Sequence, residues 1–209
     1  MEFFEYLVDT YGYNEVIMPN EISFNGYSVP WIKKALARLC DEEKIVRFEK
    51  GIYYIPTDTL LGKSKIDPQK VIRKKYINDG NGTIGYFSGI TFMNMLGLST
   101  QMPNKLEIYT NNESSRVREV AIGKQKVLLR RSRAEITSEN AATMSLLELM
   151  NFTDATFFDD DRKKIVAEFI EKSKITRKSI SSNSAYFPDK AMRTLVESEV
   201  IYLSLIHIS

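Results

Sequence analysis

The 209-residue sequence contains one cysteine and one histidine. Cys40 alone excludes an intramolecular disulfide and a cysteine-rich zinc site, and we expect it to fill core space beside a helix. His207 lies close to the C-terminal end, so histidine-based catalysis or metal binding has no other candidate. The sequence also lacks a long apolar run and a charged-then-apolar leader, which argues against a membrane span or a signal peptide. We therefore expect a cytoplasmic protein without a metal or other cofactor.

The sequence also lacks an excess of either charge. Its 29 Lys and Arg and 27 Asp and Glu leave a net charge of +2. The distribution is more informative than the sum. Residues 1–56 carry six bases and nine acids, a net of −3, yet every charged residue between 28 and 39 is basic. A second basic cluster follows at Lys63, Lys65, Lys70, Arg73, Lys74 and Lys75. Nucleic-acid phosphates could be contacted from both clusters.

Residues 28–56 form the most informative segment. Apolar residues recur there at intervals of three and four, which predicts a helix with one buried side. These residues are Val29, Ile32, Leu36 and Leu39. Lys34 and Arg38 then point away from the core. Ser28 can cap the first turn, and Pro30 suits that turn because a missing N–H costs nothing there.

A β-hairpin is predicted directly after this helix, which should end near residue 43. The runs 45–48 and 52–55 are β-branched and aromatic, and Gly51 between them supplies the positive φ of a tight turn. Successive strand residues alternate between faces, so one of Tyr53 and Tyr54 is expected to pack inward. A helix followed by such a hairpin is typical of a DNA-recognition helix and its wing.

The preceding residues complete a winged helix-turn-helix order. Apolar spacing predicts a first helix that Gly12 ends, and a short second helix is expected at 19–24, before an Asn25-Gly26 turn. We assign residues 1–56 to a DNA-binding domain and 57–64 to a linker.

Residues 65–201 are predicted to form a mixed α/β domain with a small antiparallel sheet, which makes the whole chain α+β. Its helices should begin at Asp67-Pro68, Thr137, Asp159 and Asp189. The apolar segment 84–98 is expected to be one buried helix. Strands are predicted at 106–110, 116–122 and 125–131.

Several short motifs resemble AbiEi-type antitoxins of bacteria, over roughly residues 5 to 200. In order they are Gly51-Ile52-Tyr53-Tyr54-Ile55-Pro56, Gly85-Tyr86-Phe87-Ser88-Gly89, Leu96-Gly97-Leu98-Ser99-Thr100-Gln101-Met102-Pro103, Thr110-Asn111 and Phe187-Pro188-Asp189-Lys190-Ala191. The resemblance implies a phage-defence antitoxin encoded beside a nucleotidyltransferase-like toxin. Its winged helix would bind inverted repeats upstream of the operon and repress it, with two copies on the DNA. Such pairs are described as acting without a stable toxin complex.

The segment 202–209 is expected to be a tail without function. Residues 203–209 resemble translated sequencing adapter, as found at the ends of some metagenomic reading frames. His207 lies in this segment.

The candidate DNA-binding residues are Ser28, Lys33, Lys34, Arg38, Lys50, Lys63 and Lys65. Basic side chains also occupy the solvated side of most helices, so the following hairpin matters as much as the charges. Lys33 lies beside the buried side and could extend its stem past apolar neighbours instead of reaching a base. Trp31, on the other flank, is interpreted as a packing residue.

Three other chemistries were weighed. Residues 80–85 fit a G-x-G-x-x-G pattern, but a dinucleotide site needs a strand before it, and a helix is predicted there. Asp159-Asp160-Asp161 suits a helix start better than a metal. Ser88 has no histidine partner, so nucleophilic hydrolysis is not supported. Two alternatives remain, a general transcriptional regulator without a toxin partner and a winged-helix protein-interaction module. Salt dependence of DNA binding would distinguish the interaction module from a DNA-binding regulator.

Overall fold

The computed structural model describes residues 2–205, with side chains described as far as Tyr202. The chain is mixed α/β with small sheets and many helices, which agrees with the predicted α+β class. It divides into two compact units, Met1–Lys74 and Lys75–Ser209. The elements of the first unit are α1 (Phe3–Tyr11), a 3-10 turn (Pro19–Glu21), α2 (Val29–Asp41), β1 (Val46–Glu49), β2 (Ile52–Tyr54), β3 (Asp58–Thr59) and β4 (Gly62–Lys63).

The helix α3 (Pro68–Tyr76) contains the division between the units. The elements of the second unit are β5 (Gly85–Phe87), α4 (Gly89–Leu96), β6 (Leu106–Thr110), β7 (Val117–Ile122), β8 (Gln125–Arg131), α5 (Ala141–Phe152), a 3-10 turn (Ala155–Phe157), α6 (Asp160–Lys172), α7 (Arg177–Ser184), α8 (Asp189–Glu197) and α9 (Val200–Leu205).

The first helix forms where the apolar spacing predicts it. Phe3 and Leu7, one turn apart, are its buried residues. Gly12 ends it with φ 76°, a conformation that costs glycine little. The expected second helix at 19–24 is wrong in extent, since only the 3-10 turn is helical. Ile22 and Phe24 are both buried, and their spacing of two residues requires extended chain.

The helix α2 has the predicted buried side, except that Ala35 is buried and Val29 is only partly buried. Its buried residues are Ile32, Ala35, Leu36 and Leu39. Ser28 holds the N-cap position, but its side chain makes no capping hydrogen bond, so the predicted cap is wrong. A cap hydroxyl accepts from the second or third N–H of a helix. Pro30 is the second residue of α2 and has no N–H, which removes one of the two donors.

The predicted hairpin is present as β1 and β2, with Gly51 at φ 79° in its turn. Ile17 and Tyr53 exchange two main-chain hydrogen bonds of 2.8 and 3.0 Å, which add a short third segment beside β2. The expectation that only one of Tyr53 and Tyr54 packs inward is wrong, because both are buried. Tyr53 belongs to the core, and the Tyr54 hydroxyl donates to the main-chain oxygen of Ser64 at 3.1 Å. The following segment therefore covers the second face of β2.

Residues 57–64, predicted as a linker, contain a second hairpin formed by β3 and β4. Thr57 and Ser64 close its base, since each main-chain N–H donates to the other residue, at 2.8 and 2.9 Å. Leu60 and Leu61 at its tip are fully exposed. The first unit includes this hairpin and continues to Lys74.

The sheet of the second unit has the strand order β5-β6-β8-β7. Two of its pairings are antiparallel, and the central pairing of β6 with β8 is parallel. The three strands predicted at 106–131 are confirmed. The expected single helix at 84–98 is wrong in its first part, because 85–87 is the strand β5 and the helix α4 begins at Gly89. A continuous apolar run has no period, so pairing with β6 decides the conformation.

The later helices follow the predicted starts with small differences. Asp159 caps α6, since its carboxylate accepts from the N–H of Arg162 at 2.9 Å. Asn140, and not Thr137, is the N-cap of α5. The predicted last helix from Asp189 ends at Glu197, because Glu199 has φ 59° and separates it from α9. The helix α7 was not predicted from the sequence.

Residues 206–209 of the predicted tail, His207 included, lie outside the described residues. None of the helices within residues 2–205 combines the length and apolar character that a bilayer crossing requires.

Candidate nucleic-acid interface

The candidate interface begins with the exposed side of α2. Lys33, Lys34, Ala37 and Arg38 are exposed, and Ile32 and Leu36 anchor the opposite side in the core. A rotation of about 100° per residue directs Lys34 and Ala37 straight away from the core. Lys33 and Arg38 then lie on the two flanks of Lys34. The three cations therefore spread across one face of the helix.

These cations differ in their partners. Within the described residues, Lys33 and Lys34 form no ion pair. Arg38 lies 3.6 Å from a carboxylate oxygen of Glu42, one turn later. Lys44 approaches the other carboxylate oxygen of Glu42 at 2.9 Å, and this hydrogen bond holds the pKa of Glu42 below its usual value. Arg38 thus has an acidic partner within the same chain, although its side chain is 71% exposed.

The candidate residues Ser28 and Lys50 lie outside α2, one directly before it and one in the following hairpin turn. Ser28 is exposed in an extended conformation directly before α2, and its main-chain oxygen accepts from the N–H of Ile32 at 3.0 Å. Lys50 is exposed in the turn between β1 and β2. Both positions leave the side chain accessible to a ligand.

Three residues of the predicted basic cluster after the hairpin form ion pairs. Lys63 contacts Glu43, with 3.4 Å to a carboxylate oxygen, next to the C-terminal end of α2. Lys70 contacts Glu15 and donates to the main-chain oxygen of Asn14 at 3.1 Å.

Lys74 lies 2.9 Å from Glu21. The pairs of Lys70 and Lys74 hold α3 against the rest of the first unit. Lys65 is exposed and has no ion pair among residues 2–205. Of Lys63 and Lys65, only Lys65 is an uncompensated charge.

An aromatic cluster adjoins the start of α2. Trp31 packs against Phe3 and Phe24, with ring centroids 5.5 and 6.2 Å apart, as a packing residue should. Tyr27 stacks on Trp31 at 3.9 Å and remains about half exposed. Tyr27 is not among the residues predicted from the sequence, although its position directly before a helix N-cap could have indicated it.

The second unit carries a different set of cations, also missed from the sequence. Arg118 donates to Glu113 at 2.7 Å, and Arg133 donates to Glu148 at 3.1 Å. Both carboxylates are buried residues. Burial raises the pKa of Glu113, but hydrogen bonds from the Ser115 N–H and from Arg118 outweigh burial and bring this pKa below its usual value. These arginines lie at one end of the β7–β8 pair, since the register places Arg118 near the end of β8.

The described residues contain no group of three His, Cys, Asp or Glu side chains able to hold a metal ion. Residues 80–82 follow α3 and belong to a turn, where Gly80 donates its N–H to the Asn78 side chain at 3.0 Å. Ser88 is buried and its hydroxyl has no hydrogen-bond partner among the described residues. The three exposed cations of α2 form a basic face of a kind that can contact phosphates.

No curated protein matches this chain at a significant level of similarity. A family model matches residues 15–178, which include most of the first unit and more than half of the second. The chain belongs to DUF6088, a family of unknown function.

Proposed function

We propose that the chain is a cytoplasmic, non-catalytic DNA-binding autorepressor and antitoxin of the AbiEi type. The first unit would act as a winged helix-turn-helix domain. The observation that carries this proposal is the exposed face of α2, where Lys33 and Lys34 have no ion pair among the described residues and the opposite side is buried. An exposed basic helix can enter the major groove, and a hairpin directly after it can contact the neighbouring backbone.

The order of elements resembles a winged helix, with a 3-10 turn in the place of its second helix. The chain runs from α1 through the segment at Ile17 and the 3-10 turn to α2 and then the β1–β2 hairpin. Pairing of Ile17 with β2 ties the hairpin to the segment before α2. The hairpin is therefore held in a fixed position relative to the helix that it follows.

In the proposed complex, α2 lies in the major groove of double-stranded DNA. Lys34 points toward base edges, and Lys33 and Arg38 reach phosphates on the two sides of the groove. Ser28 and Lys50 contact the backbone at the helix start and the hairpin tip. Lys63 plays a smaller part, because it is paired with Glu43 near the C-terminal end of α2. Lys65, two residues later, is free to contact the backbone as an uncompensated charge among the described residues. Two copies bind an inverted repeat, with half-sites about 10 base pairs or a multiple apart.

Selection from a library of random duplexes tests this proposal. The full-length chain should enrich an inverted repeat, and its affinity should fall steeply as salt rises, because neutralised phosphates release counterions. Replacing Lys34→Ala together with Arg38→Ala should weaken binding of the enriched duplex by about 10- to 100-fold. The matched control is Lys124→Ala with Lys126→Ala, two exposed cations of the second unit. Equal affinity of both double variants contradicts the assignment of α2 as the reading helix.

The antitoxin part of the proposal concerns the adjacent reading frame. We expect it to encode a nucleotidyltransferase-like toxin whose expression stops growth, and co-expression of this chain should restore growth without a stable complex between the two proteins. Growth arrest that this chain does not relieve contradicts the antitoxin role but leaves DNA binding in place.

A protein-interaction module is the second candidate, because Leu60 and Leu61 are fully exposed at the tip of the β3–β4 hairpin. Two adjacent exposed leucines are a plausible contact for another protein. Under this alternative, the selection from random duplexes enriches no sequence. The double variant Leu60→Ser with Leu61→Ser then loses binding to the partner protein.

A further inference from the structure

The C-terminal end of α2 places a carboxylate on the flank of the proposed reading face. Glu42 follows Arg38 by one helical turn, so the two side chains lie on the same side of the helix. The Arg38 Nε atom is 3.6 Å from one oxygen of Glu42, and both side chains remain accessible to solvent, at 71% and 39%. A phosphate that approaches Arg38 therefore also approaches a negative charge.

Lys44 provides Glu42 with a second cationic partner besides Arg38. Its ammonium lies 2.9 Å from the second oxygen of Glu42. When Arg38 turns toward a phosphate, Glu42 keeps Lys44 as a partner. Arg38 can thus exchange its carboxylate for DNA without leaving that carboxylate uncompensated.

Because of this exchange, Arg38 has a different partner in a loosely bound complex than in a fully formed (seated) complex with DNA. In a loose complex, phosphates stay at a distance, Arg38 remains on Glu42, and the carboxylate offsets part of the positive charge that attracts the backbone. In a seated complex, Arg38 gains a close, charge-assisted contact that replaces the one to Glu42. Weaker attraction that acts mainly on wrong sequences raises specificity at a small cost in total affinity.

We propose that Glu42 is a specificity-determining residue of the DNA-binding surface, which restrains Arg38 on unrelated DNA and releases it on the correct site. This inference rests on the proposed DNA-binding function.

The test compares Glu42→Gln with wild type on two duplexes, the one enriched from the random library and a shuffled duplex of the same composition. Glu42→Gln should raise affinity for the shuffled duplex by about fivefold and for the enriched duplex by less than about twofold. The salt dependence on shuffled DNA should steepen by about one phosphate contact, a slope change of about 0.9. Fluorescence anisotropy over a salt series measures both quantities.

Asp9→Asn is the matched control, because it removes one exposed negative charge from α1 of the same unit. It should change both affinities equally and leave their ratio unchanged. In an Arg38→Ala background, Glu42→Gln should no longer lower the ratio, since the restrained cation is absent.

The outcomes are distinct. A wild-type protein without preference for the enriched duplex refutes the proposed function together with this inference. A wild-type preference that Glu42→Gln leaves unchanged, or that Asp9→Asn lowers equally, refutes the inference alone. Persistence of the Glu42→Gln effect without Arg38 also refutes it, because the effect then reflects overall charge.

Discussion

The two units contain basic side chains in contrasting environments. In the first unit, Lys33, Lys34 and Lys50 are exposed and have no ion pair among the described residues. In the second unit, Arg118 and Arg133 are bonded to the buried residues Glu113 and Glu148. Exposed lysines without partners contribute little to stability and are available to a ligand. Arginines held by buried carboxylates support the fold around them.

A second contrast lies within the first unit. Lys70 and Lys74 are drawn into pairs with Glu15 and Glu21, across long stretches of sequence. Their positive charges therefore serve mainly to hold α3. A run of bases in the sequence is thus a poor guide to a binding surface unless the positions of the acids are known.

The largest expected effect comes from the buried carboxylate of the second unit. Glu148→Ala should lower the free energy of unfolding by about 2–3 kcal/mol, because the Tyr109 hydroxyl and Arg133 lose their shared acceptor. Urea denaturation followed by circular dichroism measures the change. Glu139→Ala, at an exposed position, is the control, and equal stability of the two variants contradicts the structural role of Glu148.

A smaller effect with a defined pH dependence is expected at Glu113. Its pKa is lowered in the folded protein, so its ionised form stabilises the fold above the unfolded pKa of about 4.3. This contribution is lost as pH falls through the folded pKa. Glu113→Gln should therefore have a lower Tm than wild type at pH 7, and the difference should shrink below about pH 4. A difference that stays constant down to pH 3 contradicts the assigned role of the carboxylate.

The smallest effect is expected on the exposed face of α2. Lys33→Ala with Lys34→Ala should change the free energy of unfolding by less than about 0.5 kcal/mol, because neither side chain has an ion pair to lose. Fluorescence of Trp31, the single tryptophan, reports unfolding of this unit. Lys74→Ala should cost more, up to about 1 kcal/mol, because it breaks the pair with Glu21. A larger loss of unfolding free energy in the Lys33→Ala, Lys34→Ala variant than in Lys74→Ala contradicts this prediction.

Some elements could be predicted from the sequence because their signal is local. The helix α2 shows its buried side through spacing of three and four residues, and the β1–β2 hairpin shows its turn through Gly51. The segment 84–98 shows the opposite case. Its apolar run suits a buried strand and a buried helix equally, and pairing of β5 with β6 decides between them.

The candidate site follows the same rule. Exposure of Lys34 and Arg38 could be predicted, since it depends only on the helical period of α2. Burial of Tyr54 could not, because the segment that covers it follows β2. The pairing of Lys63 with Glu43 could not either, because a turn and two hairpins bring together residues 20 positions apart.

By itself, the sequence determined the first helix and its end at Gly12, the burial of Ile32, Leu36 and Leu39 in α2, the turn at Gly51, and the strands at 106–131. These properties depend on residues within one or two turns of each other. The tertiary structure alone decided which cations are neutralised, because an ion pair depends on distance in space and not on spacing in the chain. It paired Lys63, Lys70 and Lys74 with acidic residues, and left Lys33 and Lys34 exposed without an ion pair among the described residues.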